Sequence, residues 1–407
     1  MSNDKKTTPW KGPVIGLNQQ GYPTPVFFDT HTAINMKSKS GGIVIVGAPG
    51  SGKTQLGESL AVMSGLSGKK TIYVDPKNDA VGLSELKDEF DGHLDIRDLN
   101  SGKKDGSMDP LITEIDPAKK VAKTLALIEI LVGELSEEQK ISLPPIVTDV
   151  AYGDDPSLTL LVQRLQRHKD NALAAIGSTL RTMEISNPIS GLLFKRSREK
   201  TVIKDFNDGL TVLIILGLKM PSPGSDPKQY KSEERLSLGI MYLIVEFLLS
   251  TMSDQNHKLE PKTILIDEAW AFIASAAGRN AVSSMFRLGR SMNTACILMT
   301  QNLSDLQAPG DESENNSLLN SAVTKFAFRT DDPNEIKKLC ENLGISYAAF
   351  GEQFQELESG CCIMKDYLGR VSRIYIIQQN ERWKHAFETN PLKKQQQQEA
   401  IASQEEE

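Results

Sequence analysis

Between Ile43 and Thr54 the chain reads I-V-I-V-G-A-P-G-S-G-K-T, and few stretches restrict a fold so tightly. Four β-branched residues, Ile43, Val44, Ile45 and Val46, favour a buried strand. They run into Gly47-Ala48-Pro49-Gly50-Ser51-Gly52-Lys53-Thr54, a G-x-x-x-x-G-K-T loop, and helix-compatible residues from Gln55 to Met63 follow. The glycines Gly47, Gly50 and Gly52 let backbone N–H groups approach a phosphate that side chains would screen. Lys53 is placed to reach the β- and γ-phosphates, and the Thr54 hydroxyl to meet Mg2+. Pro49, Ser51 and Gln55 complete the expected ATP-binding set. A helix opening at this loop adds the favourable end of its dipole. A chance glycine-rich turn would have neither the strand before nor the helix after.

Strand and helix signals alternate beyond the loop. Thr71-Ile72-Tyr73-Val74 predicts a second strand ending at Asp75-Pro76, and Thr211 to Ile215, Thr263 to Ile266 and Ala295 to Met299 predict three more. Later strands are expected at Thr324 to Phe328, Cys361 to Met364 and Val371 to Ile377, with helices at Glu233 to Met252 and Ala281 to Met292. Continuous apolar strands separated by helices predict a mostly parallel α/β sheet covered on both faces. Val14 to Asp29, broken by Gly16, Gly21, Pro23 and Pro25, reads as a β-hairpin or an extended lead-in.

Pro117 to Leu193 has a different character. Val121, Leu125, Leu127, Ile128, Ile130 and Leu131 recur at helical spacing, a loop is expected around Pro144-Pro145, and helices resume through Leu160 to Met183. The expected division is a lead-in over 1–40, a sheet domain over 41–108 and 201–380, and an all-helical insertion over 109–200. A C-terminal helix and a low-complexity tail occupy 381–407. Residues before Pro13, and the glutamine- and glutamate-rich tail from Lys393, read as disordered.

The second half of a hydrolytic site comes from Ile264-Leu265-Ile266-Asp267-Glu268-Ala269-Trp270. An apolar strand that delivers Asp267 beside the loop suits Mg2+ coordination, partly through water. Glu268 is next and can deprotonate an attacking water. Gln301, at the end of a strand, can meet a γ-phosphate or the lytic water, or simply begin a loop. Asp75, in D-P-K-N-D at another strand end, either touches nucleotide or closes a turn. Arg287, Arg290, Lys325 and Arg329 read as surface charges or as residues that reach a neighbouring subunit's triphosphate.

A net charge of −7 argues against a generally basic nucleic-acid coat but leaves room for a local basic patch. The four cysteines, Cys296, Cys340, Cys361 and Cys362, lack metal-ligand spacing and read as buried thiols, the last two on opposite faces of a strand. Met1 to Lys11 has no apolar core of a signal peptide. The apolar run Leu236 to Met252 holds Glu246 and is too short to span a bilayer. A cytoplasmic chain, peripheral to a membrane at most through partners, is the expectation.

Taken in order, G-A-P-G-S-G-K-T, V-D-P-K-N-D, I-L-I-D-E-A-W and G-R-S-M-N-T-A-C-I-L-M-T-Q-N-L-S-D-L resemble the FtsK–HerA superfamily of ring-forming motors. The D-E-A-W and T-Q-N-L-S-D-L forms, the helical insertion and the closing S-G-C-C-I-M-K-D-Y-L-G-R-V look most like its VirB-four/TraC class. That resemblance implies a RecA-like core, ATP and Mg2+, a hexamer, and partners in the membrane complex of a type IV secretion or conjugation machine. It gives Lys53, Thr54, Asp267, Glu268 and Gln301 the roles argued above and marks Arg290 as a residue acting in trans. Members of the class usually carry a substantial N-terminal docking domain, whereas the phosphate loop begins at Gly47 here. Three functions follow as expectations: a transfer or assembly motor, a translocase acting directly on DNA, or a nucleotide-gated assembly switch.

Overall fold

The computed structural model describes residues 12–388 except Gln20, Ser38 and the segments 100–105, 196–207, 223–224 and 307–317. The residues up to Lys11 and the tail from Lys393, for which disorder was the expectation, lie outside the described residues. So do the far boundary of the insertion, near 200, and the middle of the loop after Pro221.

Eleven strands form one sheet in the order β2-β1-β11-β10-β9-β3-β8-β7-β4-β6-β5. Seven of them run parallel: β3 (Gly42–Val46), β4 (Lys70–Asp75), β5 (Leu94–Asp98), β6 (Leu210–Ile214), β7 (Lys262–Ile266), β8 (Thr294–Thr300) and β9 (Ala322–Phe328). The remaining four, β1 (Val14–Asn18), β2 (Thr24–Phe27), β10 (Cys361–Lys365) and β11 (Val371–Ile376), extend the sheet antiparallel from β9. The sheet is therefore mixed, with the expected parallel half carrying an antiparallel arm. The lead-in is a hairpin, as one of its two sequence readings had it.

β3, β7 and β8 are buried along their whole length, which is why they read as unbroken apolar runs. Residues of alternate parity serve two cores. Ile43, Ile45, Leu265, Ile297 and Phe326 pack on the face that receives α2 (Lys53–Leu66) and the 3-10 segment Asp79–Phe90. Val44, Val46, Ile264, Ile266 and Leu298 pack on the other face. That face is covered by α8 (Ser232–Met252), α9 (Ala269–Ile273), α10 (Ala276–Gly289), α11 (Pro333–Leu343) and α12 (Tyr347–Gln355). A short helix, α1 (Thr32–Lys37), leads into β3, and α13 (Glu381–Ala386) closes the described chain. Cys361 belongs to one core and Cys362 to the other, and all four cysteines are buried and free.

α8 is longer than its apolar run suggested, at 21 residues, and long and apolar enough by composition to cross a membrane. Burial, not length, decides its role: Leu236, Ile240, Ile244 and Leu248 are fully enclosed in the core.

Among the described residues between β5 and β6 are five α-helices, α3 (Pro110–Thr113), α4 (Pro117–Val132), α5 (Glu137–Ala151), α6 (Leu158–Gln166) and α7 (Asn171–Ser186). The expected loop at Pro144-Pro145 is instead the middle of α5. An interior proline costs roughly 3 kcal/mol, but burying one large apolar side chain returns about 1.5–3 kcal/mol. Leu143, Val147 and Val150 share one fully buried face, so packing wins. The carbonyls left without donors belong to the exposed residues Lys140 and Ile141, where water can reach them. β5 is the strand that the sequence reading passed over; only Leu94 and Ile96 are apolar, as suits a sheet edge.

α6 and α7 pack closely because Gly177 has no side chain. A Cβ there would stand 2.6 Å from Gln166 N and 2.9 Å from the carbonyl carbon of Leu165. Gly177→Ala is expected to cost about 1–3 kcal/mol, read as a lower urea midpoint at unchanged slope. An unmoved midpoint would show that the helix pair relaxes freely.

Candidate active site

Parallel strands end on a common edge, so the segments after β3, β4, β7 and β8 meet there. β8 lies between β3 and β7, and β4 borders β7 on its other side. This order puts Gln301 and Lys77 on either side of Asp267 and Glu268. Together with the phosphate loop they line a cleft of about 330 Å3. Pro49, Gly50, Gly52, Lys53, Thr54, Gln55, Asp267, Glu268 and Gln301 all face it, as expected of a nucleotide site.

The loop is held from both sides. Ala48 N donates to Arg329 O at 2.8 Å, and Gly360 N donates to Ser51 O at 2.9 Å. Ser359 Oγ donates to Gly50 O at 3.0 Å. Gly52, at φ +106°, caps α2 in a left-handed conformation, and a Cβ there would come within 3.0 Å of the Gly360 backbone. Lys53 is buried and folds back, donating from Nζ to Gly47 O at 2.5 Å and Ala48 O at 3.1 Å. Burial lowers its pKa, partly offset by the charges of Asp267 and Glu268. Gly47 and Ser51 do not reach the cleft lining. The Ser51 hydroxyl is buried without a hydrogen-bond partner among the described residues.

Asp267 follows β7 and is almost wholly buried. Its backbone N donates to Val74 O at 3.0 Å, and Oδ1 accepts from Glu268 N at 2.7 Å. Burial, reinforced by the neighbouring Glu268 and Asp75 charges, raises its pKa to about 7. Such a carboxylate is short of a counter-ion. With the Thr54 hydroxyl in the same cleft it forms an oxygen donor set that fits Mg2+.

Glu268 holds a left-handed backbone, φ 48° and ψ 48°, at the head of α9. A non-glycine residue there costs about 1–2 kcal/mol, so the surroundings must fix it. Three donors do so. Lys77 Nζ makes an ion pair with Oε1, Trp270 Nε1 donates to Oε2 at 2.5 Å, and Gln301 Nε2 donates to Oε1 at 3.3 Å. Burial alone would raise the Glu268 pKa, but the Lys77 and Trp270 contacts outweigh it and hold it below the ordinary value. For Lys77 burial works downward and the Glu268 partner upward, and the partner prevails. The sequence reading took Lys77 only as part of D-P-K-N-D and chose Asp75 from that stretch. The signal for Lys77 was position, two residues past the end of a strand that borders β7.

Gln301 is positioned by its loop. Asp305 Oδ2 accepts from Thr300 Oγ1 at 3.1 Å and from Asn302 N at 2.9 Å, and Glu335 Oε2 accepts from Leu303 N at 2.8 Å.

Besides Gly47 and Ser51, two expected residues stand outside the cleft. Asp75 is fully buried and does not line the cleft. Its oxygens accept from Lys77 N and Asn78 N, both at 2.9 Å, and from Ala80 N at 2.8 Å. It shapes the turn that presents Lys77 and Asp79. Arg290 is exposed at the end of α10, before β8 begins, and so on the opposite edge of the sheet. The length of β8, roughly 20 Å, separates it from the cleft of its own chain. Ser359, Phe387 and Glu388 complete the rim and had not been expected there. α13 brings the last two by docking on the segment 79–90, where Trp383 Nε1 donates to Glu89 Oε2 at 2.8 Å.

Comparison with known proteins gives a consistent picture. Residues 26–387 match the family described as an AAA-like domain. The uncharacterized protein YddE of Bacillus subtilis (strain 168) is 23% identical over 376 residues, 87% of this chain but 43% of YddE. The chain thus spans less than half the length of that curated relative. VirB4 of Thermoanaerobacter pseudethanolicus superposes with a TM-score of 0.71 at 15% identity, covering 91% of this chain and 97% of VirB4. The plasmid coupling protein TrwB, solved with ADP and Mg2+, gives 0.57 at 13% identity, with 88% of each chain covered. Likeness at such identities establishes a shared RecA-like fold.

Proposed function

This chain belongs to the AAA-like domain family, and we propose on that ground that it is an ATP-hydrolysing motor of a conjugative or type IV secretion-type machine. One observation carries the reading: the sheet delivers Lys53, Thr54, Asp267, Glu268 and Gln301 to a single cleft. The fold shared with VirB4 and TrwB supports it. In this reading 41–108 and 201–380 form the ATPase unit, and the helical insertion over 109–200 meets partners of the membrane complex. The motor works on the cytoplasmic side as a homo-hexamer. Arg290, on the far edge of its own sheet, is the residue offered to the neighbouring subunit's triphosphate.

Chemically, the loop N–H groups and Lys53 would bind the phosphates, and Thr54 and Asp267 would hold Mg2+. When bound, that ion neutralises charge on the β- and γ-phosphates. A γ-phosphate in the cleft competes with Glu268 for Lys77 and Gln301. Glu268, freed from the ion pair, can take the proton of the attacking water, while Gln301 orients it. Lys77→Met is expected to lower turnover on the order of 10²-fold, as loss of one charge-stabilising donor does. Steady-state ATPase assays check this, and unchanged turnover would remove Lys77 from the mechanism.

The function itself is tested by ATPase rate with and without DNA, measured alongside particle mass. Turnover that rises as rings form, with little response to DNA, is the expected result. Many-fold stimulation by DNA, with binding that falls steeply in salt, would favour a translocase acting directly on DNA. Negligible turnover with nucleotide-dependent assembly would favour a switch.

A further inference from the structure

Where the insertion joins the core, α3, α4 and α8 enclose a second pocket of about 170 Å3, which shares no lining residue with the nucleotide cleft. Its floor is apolar, with Met108 and Leu243 buried and Phe247 half-buried. One wall is charged. Lys123 Nζ stands 2.8 Å from Glu114 Oε2 and 3.6 Å from Glu246 Oε2, and the three side chains are only 14–20% exposed. Among the described residues a single ammonium therefore serves two half-buried carboxylates, which leaves one negative charge in excess there. Burial raises the pKa of Glu246 more than Lys123 lowers it, whereas Glu114, closer to the lysine, is held down. An independent observation comes from Ser107. It lines the same pocket at 1% exposure, and its Oγ has no hydrogen-bond partner among the described residues. Polar groups enclosed in this way are ordinarily satisfied.

We propose that this pocket receives the basic side chain of a partner protein, its stem lying on Leu243 and Phe247 and its head meeting Glu246 and the Ser107 hydroxyl. Size argues for a side chain over a free metabolite. Small-molecule sites occupy roughly 300–1,000 Å3, whereas interfaces are anchored by single residues seated in small pockets. Ile115, 92% exposed at the mouth, supplies the apolar rim that such an anchor needs. Arginine fits best, because its planar fork can satisfy a carboxylate oxygen and a hydroxyl at once. The proposal stands apart from the ATPase reading, since it concerns binding at a separate site.

The test uses the full chain and two probes, N-acetyl-arginine methylamide and its neutral isostere N-acetyl-citrulline methylamide, titrated by saturation-transfer NMR. The arginine probe is expected to saturate at millimolar concentration, with citrulline at least tenfold weaker. Glu246→Gln should weaken the arginine probe at least tenfold. Ser250→Phe, at the exposed lip, should block it without touching the buried triad, and decides the matter if Glu246→Gln folds poorly. Equal binding of the two probes, or arginine binding untouched by Ser250→Phe, would overturn the proposal. Tighter binding of free putrescine than of the arginine probe would overturn the assignment to a side chain.

Discussion

Lys53→Ala is expected to abolish productive turnover, with kcat down on the order of 10²–10³-fold and nucleotide binding weakened as well. Lys53 is the one lysine of the phosphate loop, and it lies in a cleft whose other charges include Asp267 and Glu268. Without it, triphosphate and carboxylates face each other with Mg2+, Lys77 and a neighbour's Arg290 to offset the charge. The fold should survive. Lys53 is buried at some cost, as its lowered pKa records, and its contacts are to two loop carbonyls. Titration with a fluorescent ATP analogue, an ATPase assay and a melting curve separate the outcomes. Wild-type binding and turnover at unchanged melting temperature would mean that the loop is not a triphosphate site.

Glu268→Gln should divide binding from hydrolysis. Glutamine keeps the length of the side chain and an oxygen for Trp270 Nε1, so the left-handed turn and the head of α9 should persist. It cannot take a proton from water, and it loses the ion pair with Lys77. Turnover is expected to fall about 10²–10⁴-fold while nucleotide affinity holds or tightens. Equilibrium nucleotide binding and single-turnover hydrolysis read the two separately. Unaltered ATPase in this variant would take Glu268 out of the mechanism.

The parts of this site that are local in sequence were legible there. Gly47 to Thr54 need only their own backbone and the strand and helix beside them, and Asp267-Glu268 announce themselves as acids ending an apolar strand. What the sequence hides is adjacency. Nothing in D-P-K-N-D says that β4 will border β7, yet that neighbour relation brings Lys77 to Glu268 and turns Asp75 inward as a turn-former. Ser359 and Gly360 brace the phosphate loop from more than three hundred residues away, which no local pattern records. The misread of Pro144-Pro145 has a different cause. Local propensity said break, and the buried face of Leu143, Val147 and Val150 outweighed it. The parallel strands other than β5 were plain from their apolar runs, but the direction of β10 and β11 depends on pairing, to which periodicity is blind.

That antiparallel arm bears on how the chain is made. β1 finds its hydrogen-bond partner in β11, Gly16 opposite Ile376, so strands near the two ends of the described chain lie side by side. At a synthesis rate of about 5–20 residues per second, β1 waits roughly 20–70 s for that partner to be translated. The parallel strands and α2 can settle on the ribosome during that interval, whereas the arm closes only after synthesis of residues 371–376. The brace of Ser359 and Gly360 on the phosphate loop arrives with the same late segment. A nascent chain stalled before Ser359 would thus carry the whole phosphate-loop sequence and still lack the clasp that sets its shape.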